Sequence, residues 1–598
     1  MDPLLSLFDP QVDSDSEDII ITETRSATLL SQNGSLPPEC EEGNIEYKLK
    51  LINPSKTRFE HLVTQMKWRL REGHGEAIYE IGVEDKGLLI GLSQEEVNAS
   101  LETLYLMADK LGATITILRE RIITNDEDNC KARKYTDHRP HKCRKAVEVL
   151  VRKVPDDQQT IELRIAVLGN VETGKSTLLG VLTQGETDNG RGSARLNLFR
   201  HRHEIQTGRT SSISKEILGF DNKGVPITYN VCRTPEEICE MSSKLLTFID
   251  LGGHQKYLKT TVFGLIAMHG HYAVLVISSI GGVFAGTARE HLGLALALEV
   301  PVIVVVNKID ITDNRSLTQT LIQLETLLKS PVCKKIPVRV ETEDDVFTYA
   351  SRLTTDHIIP IFTVSCVSGY GLNLLYKFLY VLPPSVSVND RQRLIDSKVE
   401  FQIDETFQVP EVGLVVSGLL ISGLIREGDY LKIGPFDCGL FSPVQVSSLQ
   451  RHKVASRSVR AAESATLALM SYNNDIDLEK SVRKGMVLIE INDNSYGHKI
   501  CQYFQARIHV LFHVSMLCPG FQTTIYIGNV RQTAVVVAIM GKKYVSTNES
   551  ASVMFRFIKQ PEYIKNGSRL LFREGPSKGI GHIVQVFPII TKTNDNSL

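Results

Sequence analysis

The stretch Ile165-Ala166-Val167-Leu168-Gly169-Asn170-Val171-Glu172-Thr173-Gly174-Lys175-Ser176-Thr177-Leu178 decides how this chain is read. Ile165 to Leu168 has the apolar, β-branched content of a buried strand. Gly169 ends it, and Gly174-Lys175-Ser176 opens a helix through Leu178, Leu179 and Leu182. G-x-x-x-x-G-K-S between a strand and a helix predicts a phosphate-binding loop over Gly169, Asn170, Val171, Glu172, Thr173, Gly174, Lys175, Ser176 and Thr177. Glycines let the backbone curl so that successive N–H groups face phosphate oxygens, and the helix N-terminus adds partial positive charge. Lys175 reaches the β- and γ-phosphates, and the Ser176 hydroxyl is suited to magnesium. The plain alternative is a chance Gly-rich turn, and four further segments argue against it.

Lys244 to Ile249 is an apolar strand ending in Asp250-Leu251-Gly252-Gly253-His254, a D-x-x-G-H pattern. At the carboxyl edge of a parallel sheet, Asp250 would hold magnesium through a water. Gly253 would offer its N–H to the γ-phosphate, whose loss would release the following helix. A second buried strand, Val302 to Val306, ends in Asn307-Lys308-Ile309-Asp310, or N-K-x-D. The Asp310 carboxylate can accept from the N1–H and exocyclic amine of guanine; adenine has no such donor pair, so the motif selects GTP over ATP. Lys308 would lie along the base, and Asn307 would tie this loop to the phosphate loop. Ser365-Cys366-Val367 follows the last strand, where the Cys366 N–H would meet guanine O6. Gly208-Arg209-Thr210-Ser211-Ser212 lies where a mobile loop should supply a second hydroxyl to the metal. Thr210 is the first choice, because its hydroxyl and N–H serve metal and γ-phosphate together; Ser211 is the alternative. The expected metal ligands are therefore Ser176, Thr210 and Asp250. The expected reaction is in-line attack of water on the γ-phosphate, with His254 as the catalytic residue that positions the water.

Outward from this core, 598 residues suggest roughly four domains. Composition is that of an ordinary globular chain, with 42% apolar and 23% charged residues, and no apolar run reaches the length of a membrane span. The acidic N-terminus lacks the basic region of a signal peptide, and ten scattered cysteines fit a reducing compartment. The expectation is a cytoplasmic protein. A net charge of −2 neither favours nor excludes nucleic acid. Residues 1–43 carry ten acidic side chains against one basic and read as a disordered tail.

Residues 44–155 read as a small α+β domain, β-α-β-β-α-β. Its first helix has the stripe Leu62, Met66 and Leu70, and Trp68 is expected in core or interface packing. Ala77 to Val83 and Leu88 to Gly91 suggest a hairpin, and Ser93-Gln94-Glu95-Glu96 caps a second helix. Within this domain 124–145 is a basic loop: residues 130–145 hold seven Lys or Arg against one Asp. Cys130, His138, His141 and Cys143 offer zinc ligand types, but the spacing fits no common tetrahedral site, and a loop touching RNA phosphates is preferred. Residues 160–384 alternate strand and helix, predicting a doubly wound α/β domain. Beyond Glu400, short strands with Gly or Asn turns predict two β-barrels, at 395–495 and 499–592. His201, His203, His269 and His271 carry no functional expectation.

These motifs resemble the translational GTPases of the elongation factor Tu type. Asp250 to Ser278, the T-x-R-E-H segment Thr287-Ala288-Arg289-Glu290-His291, Val409 to Gly413, Val415 to Gly418 and Phe572 to Gly575 carry the likeness. Glu46–Leu70, Asp188–Ser214, Glu290–Leu298, Gly528–Val535 and Glu574–His582 are similar to the GTP-binding protein 1/GTP-binding protein 2 family, its second branch above all. The resemblance covers residues 44–590. It implies an α/β P-loop GTPase domain followed by two all-β barrels, preceded here by the α+β domain and the disordered acidic tail. It implies GTP and Mg2+, a switch working on the ribosome, and a tRNA or tRNA-like protein factor as cargo, in elongation or in surveillance of stalled ribosomes. Membrane and DNA are not among the expected partners. A signalling scaffold and a regulatory subunit of a metabolic enzyme are the rival readings. Three features depart from the family: Glu172 replaces the usual Asp, Arg209 stands where elongation factor Tu has an apolar gate residue, and its aminoacyl-end pocket is not matched residue by residue.

Overall fold

The structure, a computed structural model, describes residues 36, 39, 43–72, 76–111, 113–123, 144–153, 161–267, 270–280, 287–330, 333–353, 357–384, 388–410, 412–437, 439–471, 478–491 and 499–589. The zinc-type residues Cys130 to Cys143, most of the acidic tail, the break at 492–498 and the last residues lie outside this set.

Two helices, Lys56–Glu72 and Gln94–Lys110, cover one face of a four-stranded sheet ordered Ile45–Lys48, Glu76–Ile81, Arg144–Lys153, Ala113–Ile123. The Ser93 hydroxyl accepts from Glu96 N, and the Glu96 carboxylate accepts from Ser93 N; such a cap contributes about 1 kcal/mol. Leu62, Met66 and Leu70 enter the core with Leu104, Met107 and Val149. Trp68 does not: it lies off that stripe, is 40% exposed, and carries the Arg69 guanidinium 4.8 Å from its ring centroid. Leu88–Gly91 is likewise no strand; a single bridge joins Val83 and Leu89, and Arg144–Lys153 fills the inner position of the sheet. From the other face Ile78 and Leu150 pack into one cluster with Val346 and Phe347 of the next domain. The Thr116 hydroxyl donates to Asn222 O at 2.7 Å across this seam.

The α/β domain has eight strands in the order Ile336–Arg339, Ile358–Thr363, Val302–Asn307, Tyr272–Ser278, Ile161–Gly169, Lys244–Asp250, Ser214–Phe220, Pro226–Ile227. The first six are parallel; Ser214–Phe220 pairs antiparallel with Lys244–Asp250, and Pro226–Ile227 in turn pairs antiparallel with Ser214–Phe220 at the edge. Apolar runs such as Val302–Val306, buried on both faces, form the centre.

Two six-stranded barrels follow. In the first, Glu400–Val409, Gly413–Ser422, Ser464–Ser471, Ser442–Arg451, Tyr430–Gly434 and Val487–Glu490 close into a ring. In the second, Ile500–Phe512 pairs with both Ser577–Pro588 and Ser550–Phe557 and closes the ring. Leu511, Tyr526 and Leu571 of this barrel pack with Leu258, Val262 and Phe263 of the helix Leu258–Ala267. The Glu290 carboxylate accepts from Arg573 Nη1 at 2.6 Å and Lys578 Nζ at 2.8 Å. The first barrel is held at the start of the strand Ile161–Gly169. Arg164 Nη1 donates to Ala462 O at 2.9 Å, and Glu162 lies 3.3 Å from His452 Nε2. Burial raises the Glu162 carboxyl, but His452, Arg164 and Arg451 together hold it well below the usual carboxylate range.

Asp404, on the first strand of this barrel, is 2% exposed, and its Oδ1 finds no hydrogen-bond partner among the described residues. Burial pushes its carboxyl up to about 7 against the pull of Lys215, Arg164 and Lys484, with Glu405 adding to the rise. An unfolded Asp ionises near about 3.9, so between those values the folded chain keeps a proton that the unfolded chain releases. Stability therefore falls as pH rises through this window. Asp404→Asn should raise the apparent Tm more at pH 8 than at pH 5; equal shifts at both pH values would refute the assignment.

Candidate nucleotide site

The site lies at the carboxyl ends of the parallel strands, where chain direction alone brings the loops together. The loop after Ile161–Gly169 curls through Gly169 at φ +140°, Glu172 at +64° and Gly174 at +88° into the helix Lys175–Gln184. Glu172 adopts the left-handed region without being glycine, a conformation that costs about 1–2 kcal/mol and that the surrounding loop imposes. A Cβ on Gly169 would be driven into Val276 O, and one on Gly174 into the Asn307 amide. Lys175 is buried, and its Nζ donates to Asn170 O at 2.6 Å across the loop. Desolvation lowers its pKa to about 8, with Asp250 pulling the other way. Val171 N donates to Asn170 Oδ1, and the Thr173 hydroxyl to Asn170 O.

Three oxygens meet beside this loop. The Ser176 hydroxyl is 2.6 Å from Asp250 Oδ2 and 2.8 Å from Thr210 Oγ1, and Thr210 Oγ1 is 3.4 Å from Asp250 Oδ2. Asp250 is 1% exposed and its Oδ1 has no hydrogen-bond partner among the described residues. Burial raises its carboxyl most, while Ser176, Lys175 and Thr210 oppose the rise. Two hydroxyls and one carboxylate are hard donors that fit a magnesium ion completing its shell with phosphate and water. Among the described residues no group of three or more His, Cys, Asp and Glu offers a metal site. Ser211 is not part of the cluster, since its hydroxyl is engaged 2.7 Å from both Glu204 Oε1 and His203 Nε2.

Leu251, Gly252 and Gly253 are buried beside the phosphate loop, and a Cβ on Gly253 would be driven into Lys175 Nζ. Thr261 donates to Gly252 O at 2.6 Å and Thr287 to Gly253 O at 2.7 Å, so both carbonyls are pinned. His254 is half-buried; its Nδ1 accepts from Lys256 N at 3.1 Å, leaving Nε2 as the nitrogen not engaged by its own turn. His291 Nδ1 accepts from Gly169 N at 3.2 Å, so that nitrogen carries no proton, and burial lowers the imidazole to about 3. Thr261, Thr287 and His291 drew no role from the sequence, although the T-x-R-E-H pattern contains two of them.

On the base side, Asn307 Nδ2 donates to Thr173 O at 3.2 Å and so links the N-K-x-D loop to the phosphate loop. Lys308 sits at φ +67° beside Gly174. Asp310 is exposed, and its Oδ1 accepts from the Ser365 hydroxyl at 2.6 Å. Ser365 Oγ in turn accepts from Val367 N and Ser368 N. Cys366 is buried, its Sγ is 3.4 Å from Asn307 Oδ1, and burial pushes the thiol up to about 12, which makes it an inert wall. All of the sequence-derived positions thus gather at one sheet edge, except that His254 Nδ1 is turned to its own backbone.

The family profile of the elongation factor Tu GTP binding domain matches residues 161–385. The chain is 56% identical to GTP-binding protein 2 of Homo sapiens over 92% of this chain and 88% of that protein. The chain belongs to the GTP-binding protein 1/GTP-binding protein 2 family. GTP-binding protein 1 of Xenopus laevis is 41% identical over 97% of this chain and 83% of its own length. Among solved structures, the GTP-bound GTPase-like domain of S. cerevisiae Ski7 has the same fold, with TM-score 0.55 at 16% identity, covering 71% of this chain and 98% of that one. With an elongation factor Tu-type GTP binding domain and this family membership, the chain is a GTP hydrolase.

If Asp310 reads guanine, Asp310→Asn should weaken GTP binding ten- to a hundredfold, about 1–3 kcal/mol, by leaving the base donors unpaired. The same variant should gain preference for xanthosine triphosphate. Unchanged GTP affinity in equilibrium fluorescence titration would refute the pocket.

Proposed function

We propose that this GTPase is a cytoplasmic, ribosome-linked switch whose G domain and first barrel hold a tRNA or a tRNA-like protein factor. The observation that carries this reading is a cavity of about 210 Å³ between the edge strand Ser214–Phe220 and the first barrel. Arg200, Lys215 and Lys453 give it positive walls, Phe407 an aromatic face, and Glu405 and Ser417 hydrogen-bonding groups. Cations with an exposed aromatic ring suit the phosphate and stacked base of a single-stranded nucleic acid end. Arg200 also begins the segment that carries Thr210, so occupancy there is next to the loop that senses the nucleotide.

In the reaction, Lys175 exchanges the Asn170 carbonyl for phosphate oxygens, and desolvation of its ammonium strengthens that contact. Ser176, Thr210 and Asp250 would hold magnesium, and the ion would supply charge neutralisation for the phosphates there. Gly253 N–H would face the γ-phosphate; it shares a rigid peptide unit with Gly252 O, which Thr261 holds at 2.6 Å and so keeps that N–H aimed. His254 positions the attacking water when a ribosomal contact turns its ring inward. Such positioning is worth about 10²-fold in rate.

Gradient sedimentation with ribosomes in a non-hydrolysable GTP analogue should place the chain in ribosomal fractions. Persistent absence from them favours the scaffold reading, and a stoichiometric enzyme partner the regulatory-subunit reading. His254→Ala should keep GTP affinity while ribosome-stimulated turnover falls at least a hundredfold. Undiminished stimulation would remove His254 from the reaction.

A further inference from the structure

Thr210 must be held over Ser176 and Asp250 by something, yet the chain around it has little regular structure. Between residues 199 and 212 only Glu204 is buried. It sits on a short helix, Arg202–Thr207, and is 0% exposed although no cation pairs with it among the described residues. Its carboxylate is satisfied by donors from two separate places in the chain. Oε1 accepts from Ser211 N at 2.7 Å, Ser212 N at 3.0 Å, Ser211 Oγ at 2.7 Å and Ser212 Oγ at 3.1 Å. Oε2 accepts from Arg200 N at 3.0 Å and His201 N at 3.2 Å. Each oxygen therefore faces a pair of consecutive backbone N–H groups, one pair before the helix and one immediately after Thr210.

We propose that Glu204 is the positioning residue of the switch loop: it closes residues 200–212 into one unit and so sets the Thr210 hydroxyl and N–H where GTP, but not GDP, needs them. Charge-assisted hydrogen bonds are about twice as strong as neutral ones, and six of them on one carboxylate offset the ordering of a loop of this length. Consistent with that, the hydrogen bonds hold the buried Glu204 carboxyl down at about 2, against burial. The His203 ring completes the arrangement: with Ser211 Oγ donating to Glu204, His203 Nε2–H donates to Ser211 Oγ. A second support comes from Arg195, whose Nη1 donates to Gly208 O at 3.3 Å, at the φ +66° turn that leads into Thr210. Glu204 hydrogen-bonds to neither the three-oxygen cluster nor the phosphate loop; its charge is also felt through space at Asp250, but its hold on the loop passes through Thr210, which the Glu204→Gln variant and the Thr210→Ala control read separately.

The inference rests on Thr210 being the hydroxyl that reads the terminal phosphate. GDP lacks that phosphate, so its affinity should not depend on the loop. The experiment titrates the full chain with fluorescent GDP and with a fluorescent non-hydrolysable GTP analogue, at saturating magnesium. Glu204→Ala should weaken the analogue at least tenfold and leave GDP within twofold. Glu204→Gln, which keeps an acceptor but adds a donor, should fall between. Equal losses for both nucleotides, or no loss for either, would overturn the proposal. Should Glu204→Ala fail to fold, the double variant Ser211→Ala/Ser212→Ala removes two of the six donors and should shift selectivity in the same direction. Thr210→Ala in parallel separates the two levels. Lost selectivity there with none in the Glu204 variants sinks the latch alone, and retained selectivity in Thr210→Ala sinks the reading of the loop itself.

Discussion

A buried carboxylate and a buried ammonium, Asp250 and Lys175, set the terms for everything around them. Among the described residues neither is neutralised by a direct ion pair. Lys175 leans on a backbone carbonyl, and Asp250 on the Ser176 hydroxyl, with Thr210 Oγ1 nearby. Charges held this way are costly, and the cost is met where phosphate and a cation are bound. Space is equally constrained. Gly169, Gly174 and Gly253 crowd so closely on Val276, Asn307 and Lys175 that none could carry a Cβ. The loop sequences follow from these requirements, because backbone must approach the ligand on every side while the two charges stay fixed.

The strand Ile161–Gly169 is gripped at both ends, and each grip belongs to a different barrel. At its start Glu162 and Arg164 engage His452, Arg451 and Ala462 of the first barrel. At its end Gly169 N–H is bound by His291, whose neighbour Glu290 is paired with Arg573 and Lys578 of the second barrel. Thr287, one turn earlier, holds Gly253. A single helix, Ala288–Ala297, thus touches the phosphate loop, the D-x-x-G-H loop and the second barrel through three side chains near its N-terminal end. Packed interfaces are bistable rather than elastic, so on the proposed reading a displacement at Gly253 would be passed to the barrels as a change of docking.

The α/β domain and the barrels were legible because their signals are local. Val302–Val306 is apolar throughout and cannot be mistaken for a surface element, and the phosphate loop needs its glycines within a few residues. Elements with mixed pressures were less so. Ser214–Phe220 lacks clean alternation because both of its faces are covered, Leu218 and Phe220 by one apolar cluster and Ile217 by another, and Ile336–Arg339 is short and interrupted by Pro337. Leu88–Gly91 has strand-like residues but only a bridge to make. Trp68 misled because size suggests burial, whereas its position on the helix decides the matter. Supports for the site were the hardest to see. Thr287 and His291 act through backbone groups of distant loops, Thr261 and Glu204 through those of nearby ones, and a backbone group leaves no mark on the sequence it belongs to.

The segment between the first helix of the site and Asp250 shows what that invisibility hides. Asp188 accepts from Gly190 N, Gly192 N, Ala194 N and Ser193 Oγ, and Glu204 gathers the next part of the chain in the same manner. Thr210 then meets Asp250. Three carboxylates in succession therefore order the part from 188 to 213, which contributes few side chains to the apolar clusters, Leu198 and Ile213 being its buried contributions. Order obtained from apolar burial is lost only with the core, because the driving force is spread over many contacts. Order obtained from hydrogen bonds to a few charged groups is concentrated, and one broken contact removes a large share of it. On the proposed reading, a loop that grips a terminal phosphate and then lets go is better built in the second way. The scarcity of hydrophobic anchors between residues 188 and 212 is the physical condition for a switch at this place in the fold.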